Sequence, residues 1–425
     1  MSVAFHVVTI IDDTCLPYSA MAPKARRCHH GWDLKTKCAS TSLKRPAAAG
    51  TSGGLNFGSR RHVATLKDNG AIIKPNRAPI IIGSDFGGIC CHLMAMDLLG
   101  VSFNHATYSE KVKVCRTFVA TNYPATIVQD DATHRDVNKM PKVDMFVSTA
   151  PCQPFSSAGN QKGSGDCRGL LITETLKYIQ ANHPKCVLLE NVDNITYKKF
   201  ADVLELIVVS LQAEGYAVDH TVLNTRLVGG VPMERKRWYC VGIHESCRDS
   251  KPFMWPPVNV IDDTLTLDVL VPTLGPSQWL PHPPATKKTK YNNVMQAYQD
   301  AAALGVNPYV THVVVDGGAS PKFAHSCVGY CPTLTRSRAG TFGYWDSVKG
   351  GPLSVYDMAK LMGFSGLHYS WETFMTVNQL GTAIGNGCSV STLMKLMPEV
   401  LYAAGFLTGG QREILLHRSD VYRHI

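Results

Sequence analysis

A cysteine stands between two prolines in Ala150-Pro151-Cys152-Gln153-Pro154. Proline fixes φ, so the backbone around Cys152-Gln153 is constrained, and Ser156, Ser157 and Gly159 keep the following loop small. A thiol presented in this way is a candidate nucleophile, unless the segment is simply a turn that contains a cysteine. Its ordinary pKa of about 8.5 means it needs help at neutral pH. Further on, Leu188-Leu189-Glu190-Asn191-Val192 places a carboxylate at the end of an apolar run. A lone glutamate is costly to bury. Glu190 is therefore either half of a structural ion pair or a carboxyl group with a raised pKa, able to donate a proton to a ring nitrogen. In VPMERKRWYCVGI, residues 231–243, period-2 alternation puts Arg235 and Arg237 on one face of a strand. Two such arginines suit a phosphate or a base carbonyl, or a solvated edge.

These residues need elements to hold them. Ile80-Ile81-Ile82 is a short apolar run that stops at Gly83-Ser84-Asp85-Phe86-Gly87-Gly88, and a helical stretch from His92 to Leu99 ends at Gly100. This reads as strand, glycine turn, helix. Strands at Val101 to Thr107, near Ile127-Val128, at Val143 to Thr149 and at Val187 to Leu189 continue the alternation. The pattern predicts an α/β fold, a Rossmann-like doubly wound parallel sheet, in which ligands bind at the carboxyl ends of strands. Asp85, Glu110, Asp131, Cys152 and Glu190 all fall at those ends. After Gly242 the texture becomes rich in proline and loops, and regular apolar helix returns at Val377 to Leu401. The expected domains are a catalytic one (79–244 with 376–405), a smaller irregular one (245–375) and a C-terminal tail (406–425).

Charge is spread unevenly. The net charge is +9, and between Met21 and Ala78 there are twelve Lys or Arg against two acids. Residues 1–78 read as a basic, disordered tail that could neutralise phosphates, carry a nuclear or organelle address, or do neither. No apolar run reaches the roughly 18 residues of a membrane span. The fourteen cysteines include no CxxC pair, so the expectation is no metal and reduced thiols in an intracellular protein.

Taken in order, PCQPFS, DCRGLL (166–171), PKCVLLENV (184–192) and RKRWYCVG resemble the central motifs of the DNA cytosine-5 methyltransferase family. PTLTRS (332–337), LSVYDMAKLMGF (353–364) and QLGTAIGNG (379–387) resemble its late motifs. The likeness implies a class I methyltransferase fold with a target-recognition domain, acting as a monomer on double-stranded DNA with S-adenosylmethionine as methyl donor and S-adenosylhomocysteine as product. It implies that Cys152 attacks C6 of a flipped-out cytosine and that Glu190 holds N3 and the exocyclic amine. Asn191 would brace the catalytic loop, and Arg235 and Arg237 would contact base and loop. For the cofactor it implies Phe86 and Gly88 in the first loop, Glu110 on the ribose hydroxyls and Asp131 on the adenine amine. Leu171 would line the pocket, and Gln379 and Gly381 would close it.

The sequence departs from the family pattern in places. Ile89-Cys90-Cys91 replaces two further glycines of the first loop, Thr382 stands where Asn usually follows Gly, Met233 replaces Gln, and Tyr356-Asp357 replaces Arg-Glu. Two other functions fit the same residues. One is methylation of tRNA, whose branch carries a Cys-Phe-Thr tripeptide absent here. The other is a catalytically silent DNA-binding paralogue. Lys287, Lys288 and Lys290 are expected phosphate contacts in the small domain.

Overall fold

The computed structural model describes residues 78–151, 171–247, 251–258, 266–364 and 369–421. The basic stretch 1–77 lies outside the described residues. The chain begins β1 (Ile80–Asp85), α1 (Cys91–Leu99), β2 (Phe103–Ser109), α2 (Lys113–Asn122), β3 (Ile127–Gln129) and β4 (Met145–Ser148). It continues α3 (Leu171–Asn182), β5 (Cys186–Val192), α4 (Ala201–Ala213), β6 (Tyr216–Asn224), α5 (Thr225–Val228) and β7 (Lys236–His244). These strands form one sheet in the order β3-β2-β1-β4-β5-β7-β6. β7 is antiparallel to both its neighbours, and the first five strands are parallel.

Period-2 alternation explains why both faces of the sheet are covered. Met145, Val147, Leu188 and Val241 pack on α1 and the late helices, whereas Phe146, Val187, Leu189 and Trp238 pack on α3 and α4. α1 ends at Gly100, whose left-handed conformation (φ 73°) returns its N–H to the carbonyls of Asp97 and Met96.

Past β7 come α6 (Leu267–Leu270), α7 (Lys288–Ala303), β8 (Val313–Asp316), β9 (Ser326–Val328), α8 (Arg336–Ala339), β10 (Tyr344–Asp346) and β11 (Gly351–Pro352). A second sheet, β11-β10-β8-β9, lies against α7. Its own small core comprises Val294, Tyr298, Val313, Val315 and Trp345, with Trp345 Nε1 donating to Tyr298 Oη at 3.0 Å. The chain closes with α9 (Val355–Leu361), α10 (Val377–Asn386), α11 (Val390–Ala403) and α12 (Gly409–Val421).

Leu353, Met358, Leu361, Phe364, Trp371 and Met375 are buried in one continuous core together with Leu267, Leu270 and Tyr344, and α9 packs on both α6 and α10. The described part of the expected C-terminal tail, residues 406–421, packs on the rest of the chain. Leu407 and Leu415 are buried, Arg412 pairs with Glu399, and Arg418 Nη1 donates to Leu99 O at 2.7 Å. Among the described residues no helix is long and apolar enough to cross a membrane.

Candidate active site

The site is built at the carboxyl ends of β1 to β5. The loop after β1 turns through three left-handed residues, Phe86 (φ 56°), Gly88 (φ 55°) and Cys90 (φ 56°). Only glycine adopts that conformation freely, so Phe86 and Cys90 are held there by their surroundings. Phe86 N donates to Ser109 O at 2.7 Å and Phe86 O accepts from Thr149 Oγ1 at 2.8 Å. Gly88 is pinned on both sides: its N–H donates to Glu110 Oε2 at 3.0 Å, and its carbonyl accepts from Tyr108 Oη at 2.5 Å.

The two acids assigned to the cofactor stand after β2 and β3. Glu110 Oε1 also accepts from Val112 N at 2.8 Å. Asp131 accepts from the backbone and hydroxyl of Thr133, and these bonds, with Lys111 at 3.5 Å, hold its carboxyl below the usual value. A carboxylate offers about four acceptor positions, so both acids keep capacity for hydroxyls or an amine. A side chain built on Gly88 would meet nothing within 4 Å, which leaves an open backbone face between them. Leu171 opens α3 and is half-buried. Two acceptor carboxylates and a bare glycine fit a nucleoside with a free amine and a diol.

Cys152 lies outside the described residues. Its approach does not: Ala150 O accepts from Asn191 Nδ2 at a long 3.5 Å, so the last turn of chain before the cysteine leans on β5. Glu190, next to Asn191, has a side chain only 11% exposed and faces Arg237 Nε at 3.4 Å. Burial pushes its carboxyl above the ordinary value, with Arg237, Arg235 and a hydrogen bond from Cys388 pulling the other way. A carboxyl group held towards its protonated form at a strand end can both donate to a ring nitrogen and accept from an amine.

The two arginines separate. Arg237 reaches Glu190, whereas Arg235, just before β7, turns inward and is 1% exposed. Its Nη1 donates to Leu334 O at 2.7 Å and its Nη2 to Gly387 O at 2.5 Å. Arg235 precedes β7, which starts at Lys236, and both arginines remain close enough to act on Glu190. Arg235 clasps the strand returning from the small lobe, where Met233 bridges Cys331, to the start of α11.

The late motif also lands differently. Gln379 Oε1 accepts from Thr376 N in the cap of α10, and Gly381 lets α8 approach, since a Cβ there would meet Ala339 O at 2.5 Å. The Gly-Asn step expected at Gly381-Thr382 occurs one turn later, at Gly385-Asn386. That later segment touches the first loop's helix: a Cβ on Gly387 would meet Cys91 Sγ at 2.8 Å. Cys90 closes the loop and Cys91 opens α1, and both are buried. Cys91 therefore fills space that Gly387 leaves open. Lys290, expected on phosphate, donates to Phe342 O at 2.7 Å, while Lys287 and Lys288 are exposed.

This sheet order, with β7 inserted antiparallel, and acids at successive strand ends define a class I methyltransferase. More narrowly, the chain belongs to the C-5 cytosine-specific DNA methylase family, whose model matches residues 85–401. It is 36% identical over 131 residues to the type II methyltransferase M.BanI of Aneurinibacillus aneurinilyticus, which is 31% of this chain and 29% of the relative. It is 25% identical over 315 residues to M.PspPI of Psychrobacter sp., covering 71% and 75% of the two chains. The match to M.BanI and those to several other relatives thus span only about a third of the relatives' length. The fold is also similar to that of the methyltransferase EhMeth of Entamoeba histolytica (TM-score 0.54, 14% identity, 76% of this chain and 98% of that one). The Dnmt2 methyltransferase of S. pombe shares it at a TM-score of 0.51, with 13% identity and coverage of 76% and 98%.

Proposed function

We propose that this protein transfers a methyl group from S-adenosylmethionine to C5 of cytosine in double-stranded DNA, acting as a monomer on a base turned out of the duplex. The observation that carries the proposal is Glu190. It is a buried carboxyl beside Arg237, next to an asparagine that grips the chain two residues before Cys152. Family membership supports the same reading.

Phe86, Gly88, Glu110, Asp131 and Leu171 would hold the methyl donor, with Asn386 and Gly387 taking the part first given to Gln379 and Gly381. When bound, that donor supplies an electrophilic methyl group on a positively charged sulfur. Glu190 orients the cytosine by accepting from its amine and giving a proton to N3, which makes C6 electrophilic. The Cys152 thiolate adds to C6, and C5 becomes the nucleophile that takes the methyl group. Loss of the C5 proton then returns the electron pair that expels the thiolate. Turning the base out costs a few kcal/mol, offset by contacts in the pocket. The lobe bearing α7, with Lys287 and Lys288 at its surface, would lie on the DNA backbone.

Tritiated methyl transfer to duplex DNA, with bisulfite sequencing of DNA from expressing cells, tests the reaction and its base together. Cys152→Ser should abolish turnover and leave the DNA gel shift in place. Retained turnover in that variant, or label in tRNA and not DNA, would overturn the proposal.

A further inference from the structure

The first loop hangs on the end of β2. Phe86 N donates to Ser109 O at 2.7 Å, Tyr108 Oη to Gly88 O at 2.5 Å, and Gly88 N to Glu110 Oε2 at 3.0 Å. Whatever holds residues 108–110 therefore holds the loop. As far as Ser109 the sheet does so, through pairing with β1 and β3. Glu110 lies one residue beyond, and its N–H still reaches Gln129 O at 3.0 Å. Its own carbonyl and that of Lys111 precede α2 and accept no backbone N–H among the described residues.

One side chain takes both carbonyls. Arg116 Nη1 donates to Glu110 O at 2.6 Å and to Lys111 O at 2.8 Å. Side chains on a helix lean towards its N-terminus, so Arg116, on the first turn of α2, reaches back over that turn to the loop. A cation there opposes the helix dipole, and α2 has no acid in its first turn to pair with it. The two carbonyls account for its place. They fix the backbone from which the Glu110 carboxylate is hung, and that carboxylate is gripped in turn by Gly88 N and by Val112 N at 2.8 Å.

We infer that Arg116 is a positioning residue for the nucleoside end of the methyl donor: it sets the backbone at Glu110 and Lys111 and, through the Glu110 carboxylate, the loop at Gly88. That a nucleoside sits there rests on the reaction proposed above; the chain of hydrogen bonds from α2 to the first loop does not. Arg116 touches no reacting atom, so it acts on affinity for the donor and not on the chemical step.

The test compares Arg116→Met, which removes both bonds and keeps an apolar stem, with Arg116→Lys, which keeps a donor. Arg116 is half-buried at the surface, so neither change opens the core. In Arg116→Met, KM for S-adenosylmethionine and Kd for S-adenosylhomocysteine should rise roughly 3- to 10-fold, about what one net hydrogen bond supplies. At saturating donor kcat should hold, as should KM for DNA, and Arg116→Lys should recover most of the loss. Hydrogen exchange of the ligand-free protein gives a readout that needs no donor. Peptides carrying Gly88 and Val112 should exchange faster in Arg116→Met, with the rest of the sheet unchanged. Donor affinity unmoved, or exchange unmoved at both peptides, would overturn the inference. A wild type that binds no S-adenosylhomocysteine would sink the nucleoside reading, while the exchange series would still decide whether Arg116 sets the loop.

Discussion

Two carboxylates on the same sheet pair with arginines, one at the end of β1 and one near the end of β5, and the pairs are built differently. Asp85 and Arg135 are each 1% exposed and meet through two bonds, of 2.5 and 2.6 Å. Arg135 also donates to Glu174 O at 2.7 Å and lies 5.1 Å above the Tyr178 ring. Burial raises the Asp85 carboxyl, and Arg135 is the largest influence against it. Glu190 and Arg237 come no closer than 3.4 Å, and both keep some exposure. The first pair commits both carboxylate oxygens and both terminal guanidinium nitrogens to the protein. The second leaves lone pairs and N–H groups over, at the place where a base would enter. One is a strut between β1, the chain after β3 and α3; the other is a half-made interaction awaiting a third group.

The contrast can be broken from either side. Arg135→Ala leaves Asp85 buried without a partner and should cost about 3–5 kcal/mol of stability, read as a lowered denaturant midpoint; a loss under 1 kcal/mol would remove the distinction. Glu190→Gln should lower kcat by roughly 10²–10⁴-fold, the range for a general acid, while its unfolding midpoint at neutral pH stays at or above wild type. The pH dependence sharpens this. Glu190's folded pKa lies above its unfolded value, so between the two the folded state binds more protons and stability falls as pH rises. Glu190→Gln should flatten that fall on the alkaline side of pH 4.5, and an unchanged slope would show that Glu190 is not the group responsible. The smallest effect belongs to the packing of Gly387 on Cys91. Gly387→Ala should cost about 1–3 kcal/mol by overpacking against Cys91, and Cys91→Gly should recover most of it in a double-mutant cycle.

Much of this was legible in the sequence, because apolar runs ending in polar residues mark strand ends in any parallel sheet. Ile80 to Gly88 read directly as strand and turn, and Glu190 read as a carboxylate at a strand end. What escaped was what depends on partners far along the chain. Asp85 and Arg135 are fifty residues apart, and nothing local pairs them. Arg235 looked like a strand residue, and only the carbonyls of Leu334 and Gly387 explain its inward turn. Gln379-Leu380-Gly381 and Ile384-Gly385-Asn386 are near repeats, and only the approach of Gly387 to Cys91 distinguishes the second.

The docking of α11 and α12 onto α1 has a consequence for how the protein is made. Leu93, Met94, Met96 and Leu99 are fully buried, yet part of their cover comes from helices some three hundred residues later, as the Arg418–Leu99 bond records. A ribosome extending the chain at about 5–20 residues per second leaves that face of α1 open for tens of seconds. During translation the earliest helix of the large lobe is thus an adhesive surface, and a chain released before α11 emerges would keep it so.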